Sequence, residues 1–135
     1  MAVYLLDTNH LSQCLNKVSR LRERIHIAHR SGSRFGTIVP ALCELEVFIS
    51  GSIKAEASHR ALRRFASYVR AWPIDPEITV GYARLYLDLR TRGRILSQVD
   101  LMIAAMAQLK PCTVLTSDRD FEALPDLVCE NWLAS

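Results

Sequence analysis

The chain has 135 residues, 17 basic and 14 acidic, for a formal net charge of +3. That length suits one domain with a core of its own and argues against two. Half hydrophobic residues and a quarter charged ones describe an ordinary globular chain, no apolar run approaches the ~18 residues of a membrane span, and the N-terminus lacks the basic start of a signal peptide.

Strand and helix signals alternate along the chain. Val3-Tyr4-Leu5-Leu6 is a short apolar run read as a buried strand, stopping at the turn and cap residues Asp7-Thr8-Asn9. A short helix is expected over about His10 to Leu15. Ser19 then caps a helix with Leu21, Ile25 and Ala28 on one side, ended by Ser31-Gly32-Ser33. Thr37-Ile38-Val39 reads as the second strand. Pro40 opens a helix with Leu42, Leu45 and Ile49 on its apolar side, closing near Gly51. The next helix is expected from Ala55 to Val69, followed by a weaker strand at Trp72-Pro73-Ile74. Asp75-Pro76-Glu77 reads as a capped start for a helix ending at Gly93. Ser97 caps a nearly all-apolar, hence buried, helix over Val99–Lys110. Thr113–Thr116 is the fourth strand, Phe121–Leu124 a helical turn, and Leu127-Val128-Cys129 the fifth strand. This order predicts a three-layer α/β/α domain over residues 1–135 with a mostly parallel sheet of about five strands.

Cys14, Cys43, Cys112 and Cys129 form no C-x-x-C pair, and three lie in apolar stretches. They read as reduced, mostly buried thiols of a cytoplasmic protein. His26 and His29 share one side of an arginine-rich helix and read as surface residues. His10 reads as structural, and Tyr82 and Tyr86 as core or interface residues.

In doubly wound sheets, ligands bind outside the carboxyl ends of the strands, where strand order reverses. Strand one ends in Asp7, and strand four in Thr116-Ser117-Asp118 with Asp120 beyond. Glu44 and Asp100 lie near the starts of helices that point to the same edge. Glu46 rivals Glu44 but lies about 200° around the helix. Carboxylates crowded in one crevice stay ionised together only with cations between them. Oxygen-only ligands suit Mg²⁺ or Mn²⁺, and such an ion suits phosphodiester hydrolysis. Without these four acids, ten acidic residues face seventeen basic ones, a surround that favours a polyanion. Asn9 is expected to hold the Asp7 loop, Thr116 to orient the cluster and Asp120 to assist or replace Asp118. Arg92 and Arg94 are candidates for RNA phosphate contacts.

Leu5-Leu6-Asp7-Thr8-Asn9, Cys43-Glu44-Leu45, Asp100-Leu101-Met102-Ile103-Ala104-Ala105 and Thr116-Ser117-Asp118-Arg119-Asp120-Phe121 resemble, in order, the four motifs of PIN-domain proteins. Glu130-Asn131-Trp132 is similar to the close of the VapC toxins within that family. The resemblance covers nearly the whole chain. It implies a toxin endoribonuclease with Mg²⁺ or Mn²⁺ held by Asp7, Glu44, Asp100 and Asp118. It also implies a homodimer, a small VapB-like antitoxin and structured RNA such as tRNA as substrate. Two positions depart from the family pattern: Phe48 stands where a glycine is common, and Ser117 where an asparagine is. A catalytically silent RNA- or protein-binding module is the alternative. A Mg²⁺-dependent phosphatase on another doubly wound sheet fits less well, because Asn9 stands where such enzymes commonly place a second aspartate.

Overall fold

A computed structural model describes residues 2–133. Five strands, β1 (Val3–Leu6), β2 (Arg34–Ile38), β3 (Val69–Trp72), β4 (Thr113–Leu115) and β5 (Cys129–Glu130), form one sheet in the order β3-β2-β1-β4-β5. Every pairing is parallel. The helices are α1 (Thr8–Gln13), α2 (Arg20–Arg30), α3 (Val39–Ser50), α4 (Ala55–Phe65), α5 (Ile78–Thr91) and α6 (Gln98–Leu109), with a 3-10 turn at Arg119–Ala123. A parallel sheet must be covered on both faces, and the central strands show it. Leu5, Leu6, Ile38, Val114 and Leu115 are completely buried, and Ile103, Ala104 and Ala105 of α6 join them in the same core. None of the described helices is long and apolar enough to cross a membrane.

The chain first winds outward from β1 to β2 and β3, then returns to add β4 and β5 on the other side. Strand order therefore reverses between β1 and β4. There the Asp7 N–H donates to the Leu115 carbonyl at 3.1 Å, which ties the carboxyl ends of the two strands together.

Element boundaries differ from the sequence expectations for local reasons. β2 begins at Arg34, because Arg34 and Phe35 pair with Val3 and Tyr4; Gly36, a weak strand former, disguises the run. Val39 belongs to α3, not to the strand. α4 stops at Phe65, where the Tyr68 N–H turns back to the Phe65 carbonyl, and Val69 starts β3. Val69 fits the helical period of Ala61, Leu62 and Phe65 equally well, so periodicity misplaced it. Pro73, with no N–H to donate, lies beyond β3. Asp75 does not cap α5. Its carbonyl accepts from Ile78 N–H in a turn, and the helix starts at Ile78 with no side-chain cap. β5 lies at Cys129–Glu130, drawn there by Val114↔Cys129 and Leu115↔Glu130 pairing. Ser19 and Ser97 do cap α2 and α6, accepting from Leu21 N–H and Asp100 N–H at 3.1 Å each. Such caps contribute about 1 kcal/mol apiece.

All four cysteines are free, but only Cys14 is buried; Cys43 and Cys129 are exposed, contrary to the mostly buried expectation. Burial pushes the Cys14 thiol above its ordinary range, which keeps it protonated and inert. His26 and His29 both pack edge-on against Tyr68, at 5.3 and 5.1 Å between ring centroids.

Gly36 marks a tight approach between strands. The Trp72 indole of neighbouring β3 lies where a Cβ on Gly36 would sit, so any side chain there collides with it. Gly36→Ala is expected to lower stability by about 1–3 kcal/mol, and Trp72→Leu in the same chain to recover part of the loss. Urea unfolding of the two single variants and the double variant checks this. Additive single effects would contradict it.

Candidate active site

The carboxyl end of β1 runs directly into α1, and Asp7 is the N-cap of that helix. The residue is 3 % exposed. Its Oδ1 accepts from the backbone N–H of His10 at 2.8 Å and lies 3.0 Å from the His10 Nδ1. His10 is fully buried, and its Nε2 accepts the Trp132 backbone N–H at 3.2 Å. A ring nitrogen that accepts carries no proton, so the imidazole hydrogen sits on Nδ1 and is donated to Asp7. The Asp7 carboxylate is thereby fixed through one oxygen. Among the described residues Oδ2 takes no protein hydrogen bond, yet no buried side-chain oxygen is left unpaired. Oδ2 must therefore reach solvent.

Asp100 sits in the first turn of α6, just after Ser97, and is half-buried. Burial first, and then the nearby charges of Asp118, Asp7 and Glu44, push its carboxyl up to about 6 against the opposing pull of the Ser97 hydrogen bond. The four acids separated by up to 111 positions in sequence thus share one electrostatic neighbourhood. Glu44, on the exposed side of the first turns of α3, accepts the Thr8 hydroxyl at 2.6 Å, which holds it beside the Asp7 loop. Its rival Glu46 points elsewhere and pairs with His59 of α4 and Ser50. Asp118 caps the 3-10 turn after β4 and accepts the Asp120 N–H at 2.8 Å. The Thr116 hydroxyl, nearly buried, accepts the Asp118 N–H at 3.0 Å. A cavity of about 420 Å³ adjoins this end of the sheet, with Thr116, Asp118, Glu122 and Glu130 in its wall.

Several supporting residues stand differently from expectation. Asn9 is exposed, and among the described residues its side chain makes no hydrogen bond; Thr8 does the tethering instead. Asp120 contributes its backbone N–H to Asp118, while its carboxylate stands exposed. Arg92 is occupied by Asp88, one helical turn back, at 2.8 Å. Arg94 is exposed beside Tyr86 and Arg90. His10 is the residue whose part was underread. The signal was a histidine three positions after the cap aspartate, where one helical turn brings the two side chains together.

The donor set fits a hard divalent cation in chemistry: four carboxylates, one of them with a free oxygen, and like-charge strain that a cation relieves. Among the described residues, no three His, Cys, Asp or Glu side chains are drawn up at ligating distance. The acids therefore flank a crevice rather than close around a point. Mg²⁺ tolerates this, because it commonly keeps several waters and takes only one or two carboxylates.

Two consequences can be measured. His10→Ala strips Asp7 of its side-chain partner and leaves the buried Trp132 N–H unpaired, so a stability loss of about 2–4 kcal/mol is expected in urea. A loss below about 1 kcal/mol would mean that this chain of bonds carries little weight. The raised Asp100 pKa means that the folded state holds a proton more tightly than the unfolded one. The stability that Asp100 contributes to the metal-free protein should then be fully present below about pH 4 and be lost as pH rises through about 6. In EDTA, Asp100→Asn should remove that decline, gaining on the order of 1 kcal/mol at pH 7 after allowance for solvent screening. A wild-type melting temperature that stays flat over this window, or the same decline in the variant, would contradict it.

Residues 4–127 match the PIN domain family. The chain is 30% identical over 133 residues to Ribonuclease VapC2 of Rickettsia felis, covering 96% of this chain and 98% of the relative. It is 32% identical over 93 residues to Ribonuclease VapC5 of Mycobacterium tuberculosis, covering 67% and 69%. Its fold superposes on the crystal structure of VapBC2 from Rickettsia felis bound to a DNA fragment from their promoter, with a TM-score of 0.87, 27% identity and coverage of 96% and 98%. DNA-bound VapBC from Salmonella typhimurium gives 0.82 at 25% identity, covering 98% and 99%. The matched span runs from β1 almost to β5 and includes all four carboxylates, and so the chain belongs to the PIN-domain family.

Proposed function

We propose that the chain is an endoribonuclease that hydrolyses RNA phosphodiester bonds with a Mg²⁺ or Mn²⁺ cofactor, and that it is the toxin of a toxin–antitoxin pair. The observation that carries the reading is the field at Asp100, where three other carboxylates from three other elements act on one half-buried acid. A fold does not keep such a cluster for stability, since each added charge opposes the others. Similarity to proteins named ribonuclease VapC supports RNA as substrate, and similarity to VapBC complexes supports a small VapB-like partner. Structured RNA such as tRNA, a homodimer and a cytoplasmic location complete the proposal on the strength of family resemblance.

In this reading Asp7, Asp100, Glu44 and Asp118 hold the cation. When bound, the ion supplies Lewis-acid stabilisation of the phosphate and lowers the pKa of a water. The protein's own contribution is positional. Asp7 is immobilised by His10, and one of its oxygens is left open to the crevice. Thr8 steers Glu44 toward the same crevice, and Thr116 and the Asp120 N–H fix the loop that carries Asp118. Glu44 and Asp118 are the more open acids, suited to orienting an attacking water. The basic excess elsewhere draws the polyanion in.

The test is cleavage of total RNA and tRNA by purified protein, with RNA ends sequenced. Wild type should cleave with Mg²⁺ or Mn²⁺ and be silent in EDTA. Asp7→Asn should lose about 10³-fold or more in rate while melting normally. Cleavage by Asp7→Asn at the wild-type rate would defeat the assignment. RNA binding without cleavage by the metal-loaded wild type would favour a silent binding module.

A further inference from the structure

The edge of the sheet opposite the carboxylates carries a second chemically distinctive cavity, of about 360 Å³. Its wall includes Arg34, Arg70, Lys110, His29, Tyr68 and Trp72, and no Asp or Glu lines it. Strand register explains the clustering. Arg34 opens β2 opposite Val3, Gly36 pairs with Arg70, and Ile38 pairs with Trp72. With side chains alternating along each strand, Arg34, Arg70 and Trp72 fall on one face of the sheet. Both arginines lie at the starts of their strands. Lys110, just past the end of α6, sets its ammonium 4.0 Å from the centroid of the Trp72 ring. His29 at the end of α2 meets Tyr68 edge-to-face, with 5.1 Å between ring centroids.

None of these three cations forms an ion pair with an acid among the described residues. Uncompensated like charges around a concavity focus positive potential and favour an anion. Guanidinium forks match phosphate oxygens in geometry, and Lys adds a point charge. The volume lies in the range of small-ligand sites, about 300–1,000 Å³. A phosphate group meets only the charged side of such a site, while His29 and Tyr68 place aromatic rings in the same wall, the residue type on which a heterocycle packs.

We infer that this cavity binds a nucleoside phosphate, either as a free mononucleotide or as the terminal nucleotide of an RNA strand. The site stands apart from the proposed active site. Asp100 and Lys110 lie at opposite ends of α6, about 15 Å apart along its axis, and none of the four clustered acids lines the cavity. It therefore succeeds or fails independently of the ribonuclease assignment.

Isothermal titration of the full chain in EDTA, where metal-dependent cleavage is suppressed, tests it. The probes are AMP, adenosine, inorganic phosphate, a hexaglutamate peptide, and a tetraribonucleotide with or without a 5′-phosphate. AMP should bind saturably, and adenosine and inorganic phosphate at least about tenfold more weakly. Arg34→Ala/Arg70→Ala should weaken AMP by about tenfold or more, and Lys110→Gln by a smaller factor, with melting temperatures unchanged. Chemical-shift mapping on the wild type, which needs no variant to fold, should place AMP around Arg34, Tyr68 and Arg70. Comparable affinity for the 5′-phosphorylated tetranucleotide identifies a strand end as ligand; binding of AMP alone identifies a free nucleotide. Either supports the site. No saturable binding of AMP or phosphorylated RNA at millimolar concentration would overturn it, as would equal affinity for inorganic phosphate. Preference for the acidic peptide, or shifts mapping to the opposite edge, would also do so.

Discussion

Repulsion among four carboxylates at the carboxyl edge of the sheet is the constraint around which this end of the molecule is arranged. Asp7, Glu44, Asp100 and Asp118 come from β1–α1, α3, α6 and the loop after β4. Left alone, such a group would spread into solvent or take up protons, and at Asp100 the three other charges add to burial in raising the pKa. The first is restrained by neighbours with no charge of their own. Thr8 holds Glu44, Ser97 caps the turn that carries Asp100, and Thr116 holds the backbone of Asp118. Three hydroxyls and one imidazole therefore do the placing, and no arginine or lysine neutralises the acids among the ion pairs of the described residues. A fold that needed these acids for stability would have paired them with cations.

The four acids are not held equally. Asp7 is almost fully buried and bonded twice through one oxygen, Asp100 is half-buried, and Glu44 is exposed. The rigid member is anchored from far away in sequence. His10 links Asp7 to the backbone of Trp132, whose ring packs against Tyr4 at 4.8 Å and Phe35 at 5.8 Å and lies under the Arg24 guanidinium at 4.0 Å. The C-terminal segment thus braces the first strand and the first carboxylate at once. That arrangement is pre-organisation: one carboxylate is fixed by its bonds, while Glu44 stands exposed and is held only by Thr8.

How far the sequence revealed this follows from the range of the forces involved. β1 and α6 were legible because their apolar runs are continuous and their caps, Asp7 and Ser97, are local. The meeting of the carboxyl ends of β1 and β4 is legible because a doubly wound order implies a reversal, and the reversal does fall between β1 and β4. β2 was half hidden, because Arg34 and Gly36 are poor strand formers that earn their place only through β1 and the Trp72 ring. β5 was shifted, because a two-residue strand has no pattern of its own and is defined by what β4 offers it. The choice of Glu44 over Glu46 rests on helical angle; the structure sets Glu44 beside Thr8 and Glu46 beside His59. Asn9 and His10 exchanged importance for a similar reason. Which of two adjacent polar residues turns inward depends on packing against Trp132, 122 positions away.

α6 relates the two ends of the molecule. It is the most deeply buried helix, with six of its residues in the core, and its axis crosses the sheet from the acidic edge to the basic one. Its N-terminal dipole end lies beside Asp100, where partial positive charge favours a carboxylate, and its C-terminal end lies beside Lys110, where partial negative charge favours an ammonium. Helix polarity thus works with the placement of both charges. The same polarity follows from the crossover between parallel strands: the chain must return to the starting edge of the sheet before β4, and α6 is the last helix of that return. Asp100 near its start and Lys110 just past its end therefore fall at opposite edges, while Arg34 and Arg70 reach the basic edge from β2 and β3. The acidic crevice and the cationic cavity are thus set apart by the length of one buried helix, and among the described residues no arginine or lysine ion pair quenches the charge of either.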